Sequence, residues 1–295
     1  MSAAANSSLP APRASAAATR PGPPPPPAPP EADDVGLAFL LRTPLAALEG
    51  VGAVLIFAMT AITRAFRPPY RVGLYFHTME FVGVGSLGIV LLTGVFTGAV
   101  FAIQTAVAFN IFNAKSLIGG SVALALILEL APTLGALMVA GRVGSAMTTE
   151  LGTMRVSEQI DALETMAVDP LHYLVAPRII ACTLMMPMLA VGFCAIGLLG
   201  AYVVSLGMLG VDHGAFFSRI TAWVKPSDIA CTVVKGTAFG AIIGTIASYK
   251  GFHAGGGSRG VGLATTSTVV TTSVVIFVID YLITSVWMVL FPVRV

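Results

Sequence analysis

Charge is what this chain has least of. Asp, Glu, Lys and Arg make up 10% of its 295 residues, against about 25% in a typical soluble domain. No charged residue occurs between Glu80 and Lys115, or between Arg178 and Asp212. About 20 apolar residues suffice to cross the hydrocarbon core of a bilayer, so each gap can hold a span. The formal net charge of +2 is too small for a nucleic-acid footprint. Cysteine is also scarce: Cys182, Cys194 and Cys231 lie in apolar runs without CxxC spacing, as packing residues do. The four histidines (His77, His172, His213, His253) show no metal-ligand spacing. No GxxxxGK followed by Ser or Thr is present, so a Walker loop for ATP phosphates is excluded. No nucleophile and base converge, which leaves no catalytic residue to name.

What is present is apolar: 56% of the chain, with a mean hydropathy of +0.89. Five spans are expected, at about Phe81–Phe109, Leu117–Met147, Ile179–Leu209, Ile229–Tyr249 and Thr268–Phe291. Residues 1–34 are mostly Ala, Ser and Pro, with Pro23 to Pro27 unbroken; such a tail cannot bury apolar surface and reads as disordered. Residues 35–72 form a second region. The apolar stretch from Leu45 to Ile62 carries Glu49 and is followed by Arg64, Arg67, Pro68 and Pro69; it is long enough to span, but the flanking charge and doubled proline favour a helix lying in the interface or half inserted. Short-loop Lys and Arg set orientation. With the N-terminus inside, the cytoplasmic side receives Arg64, Arg67, Arg71, Arg155, Arg178, Lys250 and Arg259, and the far side Lys115, Arg219, Lys225 and Arg294. The bias favours a cytoplasmic N-terminus and a periplasmic C-terminus.

Between the second and third spans lies a polar interruption, Glu150 to Arg178, holding five of the fourteen acidic residues. Ser157 is a reasonable N-cap there, with Glu158 and Asp161 in the first turn where the helix dipole favours negative charge. Ile160, Leu163 and Ala167 share one face, with Met166 beside them, and Asp169-Pro170 stops the helix. The reading is a short amphipathic cytoplasmic helix over about 157–168. It either rests on headgroups or docks into a soluble partner.

The stretch ELAPTLGALMVAGRVGSAMTTELGTMRVSEQIDALETMAVDPLHYLVAPR, Glu129 to Arg178, resembles the signature of the MlaE/YrbE permeases, and the resemblance extends over roughly residues 35–295. These are membrane subunits of ABC lipid transporters that work with MCE proteins. The resemblance implies an all-α polytopic membrane protein: five transmembrane helices, an N-terminal interfacial helix, and a permease domain over 73–295. In it the 157–168 helix is the coupling helix, offering Ser157, Glu158, Gln159, Asp161 and Glu164 to a P-loop ATPase. It also implies a second copy of the chain, an MCE-domain partner and a phospholipid substrate. ATP and Mg would be bound by the partner, with no cofactor or metal in this chain. The setting implied is a bacterial inner membrane, the task phospholipid movement between inner and outer membranes in support of outer-membrane lipid asymmetry.

Three ionisable residues fall inside spans: Glu129, Lys235 and Asp280. Charge at mid-membrane costs at least about 2.5–3.5 kcal/mol, so such residues face a cavity or pair with one another. Glu129 and Asp280 match acidic positions of the family and Lys235 a lysine; Leu128 stands where many relatives carry Arg. All three are expected to line or gate a lipid cavity. Gln104, like Asn110, is placed at its outer mouth, and Arg142, a further gating candidate, is read as snorkelling or pairing with Glu150 or another acid, in a structural or gating role rather than direct lipid binding. Gly236, Gly240 and Gly244 repeat at packing spacing, as do Gly94 and Gly98, and are expected to pack helices within one chain. The glycine-rich run from Gly255 to Gly262 reads as a flexible connection. An ion-coupled secondary transporter using the same three charges is the alternative, although no inverted repeat supports it.

Overall fold

The computed structural model describes residues 32–65 and 72–291, with side chains from Glu49 onward. The expected disordered tail lies outside these residues, except that 32–34 open the first helix; Pro68, Pro69 and Arg294 also lie outside. The chain divides into two compact units, Met1–Glu49 and Gly50–Val295. Of the first, residues 32–49 are helical.

Nine helical elements follow one another, with no strand among the described residues. They are α1 (Ala32–Ala65), α2 (Val72–Val82), α3 (Val84–Asn110), α4 (Lys115–Val156) and α5 (Gln159–Thr165), then α6 (Leu171–Gly207), α7 (His213–Trp223), α8 (Pro226–Phe252) and α9 (Gly257–Leu290). Five segments are long and apolar enough to cross a membrane: α2–α3 together, α4, α6, α8 and α9. This is the five-span all-α architecture expected from the charge gaps. The first span is longer than expected, since helix runs from Val72 rather than Phe81 and turns a corner at Gly83.

Helix α6 is central, with α3 along one side and α8 along the other, and α9 lies against α8 and α4. Small residues allow this proximity. A Cβ at Gly236 would stand 2.8 Å from the Pro187 Cα of α6, and one at Gly244 2.9 Å from the Ile179 Cα. The glycine repeat is therefore a seam within one chain, as expected. Outward faces carry Leu92, Phe96, Val203 and Val274, all exposed; continuous apolar surface of this kind marks contact with lipid. From Gly50 onward α1 buries Phe57 and Ala61 against Val175, Ile179, Tyr249 and Phe252, while Leu55, Ile56 and Met59 remain exposed.

The run from Gly255 to Gly262 is not a flexible connection. Helix α8 ends at Phe252 and α9 begins at Gly257, so the link is a tight turn. Gly256 and Gly257 have φ of +80° and +70°, which glycine adopts without the Cβ clash other residues meet. Helix α7 was not foreseen. Asp212 caps it, accepting the Ala215 N–H at 3.0 Å, and Phe216 is buried beside Gly119 at the start of α4.

Candidate functional site

Two places bring the singled-out residues together, one at each end of the bundle. The first begins with Pro132. A proline has no N–H to give the carbonyl four residues back, here Leu128. Around it α4 widens into a π-turn, Leu126–Leu130, where the Ala131 N–H reaches back five residues to the Leu126 oxygen. π-turns occur frequently at functional sites. Helix α8 supplies the missing donors: Thr232 Oγ1 donates to the Ile127 oxygen, and Lys235 Nζ donates to the Leu128 oxygen at 2.8 Å.

Lys235 also donates to Glu129 Oε2 at 2.9 Å and stands 2.8 Å from Asp280 Oδ1. The contact with Asp280 is an ion pair without hydrogen-bond alignment. Thr284 Oγ1 donates to the other Glu129 oxygen at 3.1 Å. The three intramembrane charges thus form a single network joining α4, α8 and α9. Their exposures differ: the side chain of Lys235 is 0% exposed, Asp280 16% and Glu129 44%. Lys235 is sealed in, and Glu129 opens onto a groove of about 590 Å³, lined among others by Leu128, Lys225, Asp228, Thr284 and Trp287. At 1.5 Å per residue, Lys235 is about 14 Å from the Pro226 end of α8 and Asp280 about 15 Å from the Leu290 end of α9. The charges therefore lie at one common depth.

Two other expected members are not part of it. Gln104 is exposed on α3. Arg142 sits in a second π-turn of α4, Ala140–Gly144, roughly 20 Å along the helix from Glu129. It pairs with no acid among the described residues. Its guanidinium donates to Ser86 Oγ at 2.9 Å and to the Phe81 oxygen at 3.3 Å, and stacks over the Phe81 ring at 5.5 Å. Arg142 thereby staples the corner between α2 and α3. Glu150 pairs instead with Arg178 at 3.0 Å, because the first turns of α6 bring Arg178 beside the last turns of α4.

The second place is α5. The helix is shorter than expected, Gln159–Thr165. Ser157 is not its N-cap: the hydroxyl donates back to the Thr153 oxygen and closes α4. Glu158 takes the capping position in a left-handed conformation, φ +59°. The helix also ends before Asp169-Pro170. The Val168 and Ala167 N–H groups bond to the Leu163 and Glu164 oxygens at 3.0 Å each, a Schellman closure with Ala167 in the left-handed position, φ +57°. Ala167 and Met166 are exposed, so they leave the apolar face. That face is Ile160, 0% exposed, packed with Leu151 and Leu174, with Leu163 and Phe252 alongside. Ser157, Glu158, Gln159, Asp161 and Glu164 all face outward. Asp161 is held by Arg155. Asp169 accepts the Leu171 N–H at 3.1 Å and pairs with Arg64 of α1 through both carboxylate oxygens at 2.7 Å. Sequence reasoning missed this clasp because 105 residues separate its halves.

Five candidate spans packed along small-residue seams, three of them joined by one ionic network, define a polytopic helical membrane protein. Comparison with known proteins gives the family: "Permease MlaE" matches residues 75–286. The chain belongs to the MlaE permease family. It is 42% identical over 236 residues to a probable ABC transporter permease protein of Rickettsia conorii, covering 80% of this chain and 91% of that one. It is 41% identical over 209 residues to the intermembrane phospholipid transport system permease protein MlaE of Haemophilus influenzae, covering 70% and 80%. It is 39% identical over 207 residues to the chloroplastic protein TRIGALACTOSYLDIACYLGLYCEROL 1 of Arabidopsis thaliana, covering 70% and 59%.

Proposed function

We propose that this chain is the membrane subunit of an ATP-driven transporter moving phospholipid between inner and outer membranes, and so sustaining outer-membrane lipid asymmetry. The observation that carries the reading is the two-sidedness of α5. Its apolar side chain Ile160 is buried in the bundle, while Glu158, Asp161 and Glu164 face outward. A helix that merely rested on headgroups would turn its apolar side to lipid. This one is fastened to α4 and α6 and presents acid to water. A P-loop ATPase docking there would transmit its closure through α5 into α4 and α6. The ATP and Mg belong to that partner, on the cytoplasmic side. Two copies of the chain would enclose the lipid path, and an MCE-domain protein would receive lipid at the α7 end, on the periplasmic side. Glu129 of the ionic network, with Lys225 and Asp228, places polar groups in a groove whose other walls are largely apolar, which is what an amphipathic cargo requires.

Reversal of Glu158 or Asp161 to Lys is the test. Both are exposed, so stability should stay within about 0.5 kcal/mol. Co-purification of the ATPase should fall, or hydrolysis should continue without lipid movement. Unchanged assembly, hydrolysis and transport in both variants would reject α5 as the docking element. Full-rate transport by the chain reconstituted alone would reject the ATP-driven reading and favour an ion-coupled carrier.

A further inference from the structure

Lys235 cannot serve a headgroup, since its ammonium is fully enclosed by the Leu128 oxygen, Glu129 and Asp280. The cation that can is Lys225. It is exposed, lines the groove beside Glu129, and makes no ion pair among the described residues. Two carboxylates line the same groove. Glu129 keeps nearly half its side-chain surface open, and Asp228 is fixed by the Lys225 N–H at 2.8 Å. One further donor has no acceptor among the described residues: the buried indole N–H of Trp287. Buried indole N–H groups normally find a partner. The Trp287 ring stacks against Phe291 at 4.9 Å and shares the groove wall.

Resting on the lipid-permease reading above, we propose that this groove selects a zwitterionic phospholipid headgroup. Lys225 takes the phosphate, and Glu129 and Asp228 take the ammonium. Charge decides between headgroups. Among the described residues, Glu129, Asp228 and Asp280 set against Lys225 and Lys235 leave one formal negative charge in and beside the groove. A headgroup with net negative charge is repelled there, and one carrying an ammonium is neutralised. Aromatic rings beside the carboxylates favour an ammonium further. The groove, about 590 Å³, falls within the roughly 300–1,000 Å³ of small-molecule sites.

The test is lipid analysis of the full chain, with the subunits that accompany it, extracted in polymer discs without detergent. The bound ratio of phosphatidylethanolamine to phosphatidylglycerol is compared with the bulk ratio of the same membranes. Wild type should enrich phosphatidylethanolamine by about tenfold, the equivalent of one charge-assisted contact. Lys225→Glu should lower total bound phospholipid several-fold, and Glu129→Gln should bring the ratio toward bulk. Asp228→Asn gives a second route to the same shift if Glu129→Gln folds poorly. A wild-type ratio equal to bulk, or unchanged ratio and occupancy in the variants, overturns the inference. If transport of both lipids persists in that case, the permease reading survives without it. If no phospholipid is bound and none is transported, both readings fail.

Discussion

At one end of the bundle Lys235 meets two carboxylates inside packed helices; at the other, Glu158, Asp161 and Glu164 face outward from α5. The same residue types thus occur under opposite rules. Inside, Glu129, Lys235 and Asp280 each meet an opposite charge on another helix, because an unmatched ion has no water to fall back on. Outside, acid is left over. Only Asp161 has an ion-pair partner, Arg155, and Glu158 and Glu164 have none among the described residues. The first arrangement fixes where α4, α8 and α9 stand. The second contributes little to the fold and leaves charge available to a partner.

The sharpest way to break this contrast is Lys235→Ala. It leaves Glu129 and Asp280 facing each other without their cation, and removing one member of a buried ionic group costs about 3–5 kcal/mol. Folded yield and melting temperature in detergent should collapse. The triple change Lys235→Met, Glu129→Gln, Asp280→Asn should recover most of that loss, since apolar or neutral replacements of a whole buried ion group are often tolerated. Transport should not return with it. Recovery of transport in the triple variant would show that the network serves only to lock helices.

A second test separates the two faces of α5. Ile160→Ala removes a fully buried side chain from the cluster with Leu151 and Leu174, a change that typically costs about 2–5 kcal/mol. Reversals of Glu158 or Asp161, on the same two turns, should leave the melting curve in place. Equal melting shifts from both kinds of change would mean that the acidic face is also part of the packing.

The span arrangement was readable in the chain because lipid tolerates so few charges: the gaps at 81–114 and 179–211 announce helices by length alone. The membership of Glu129, Lys235 and Asp280 in one network follows from the same scarcity, since each needs a partner at its depth. What could not be read depended on geometry in three dimensions. The π-turn at Leu126–Leu130 exists because Thr232 and Lys235 of α8 satisfy carbonyls that Pro132 leaves open; Pro132 is the only local hint. Arg142 looked like a partner for Glu150, yet eight residues, about 12 Å of helix, separate the two, and they find Ser86 and Arg178 instead. Helix α7 did carry a signal, an Asp212 cap ahead of Phe216 and Phe217, but its eleven residues are too few to stand out beside the long apolar spans. Ser157 looked like an N-cap by composition, and the left-handed turn at Glu158 moved the helix start past it.

The smallest effect lies at the other terminus of α5, where Ala167 holds a left-handed conformation that closes the helix. An L residue with a Cβ is disfavoured there by about 1–2 kcal/mol, and glycine is the usual occupant. Part of the gain from Ala167→Gly is returned as extra freedom in the unfolded chain. The net stabilisation should be about 0.5–1 kcal/mol, read as a melting temperature higher by roughly 1–3 °C. This change leaves the acidic face of α5 intact, so ATPase docking should be unaltered while the turn before Asp169 relaxes. A lower melting temperature would show that α5 does not end in this turn. A higher one with slower transport would show that the stiffness of the Ala167 turn, which leads directly to the Asp169–Arg64 clasp, helps carry motion from α5 toward α1.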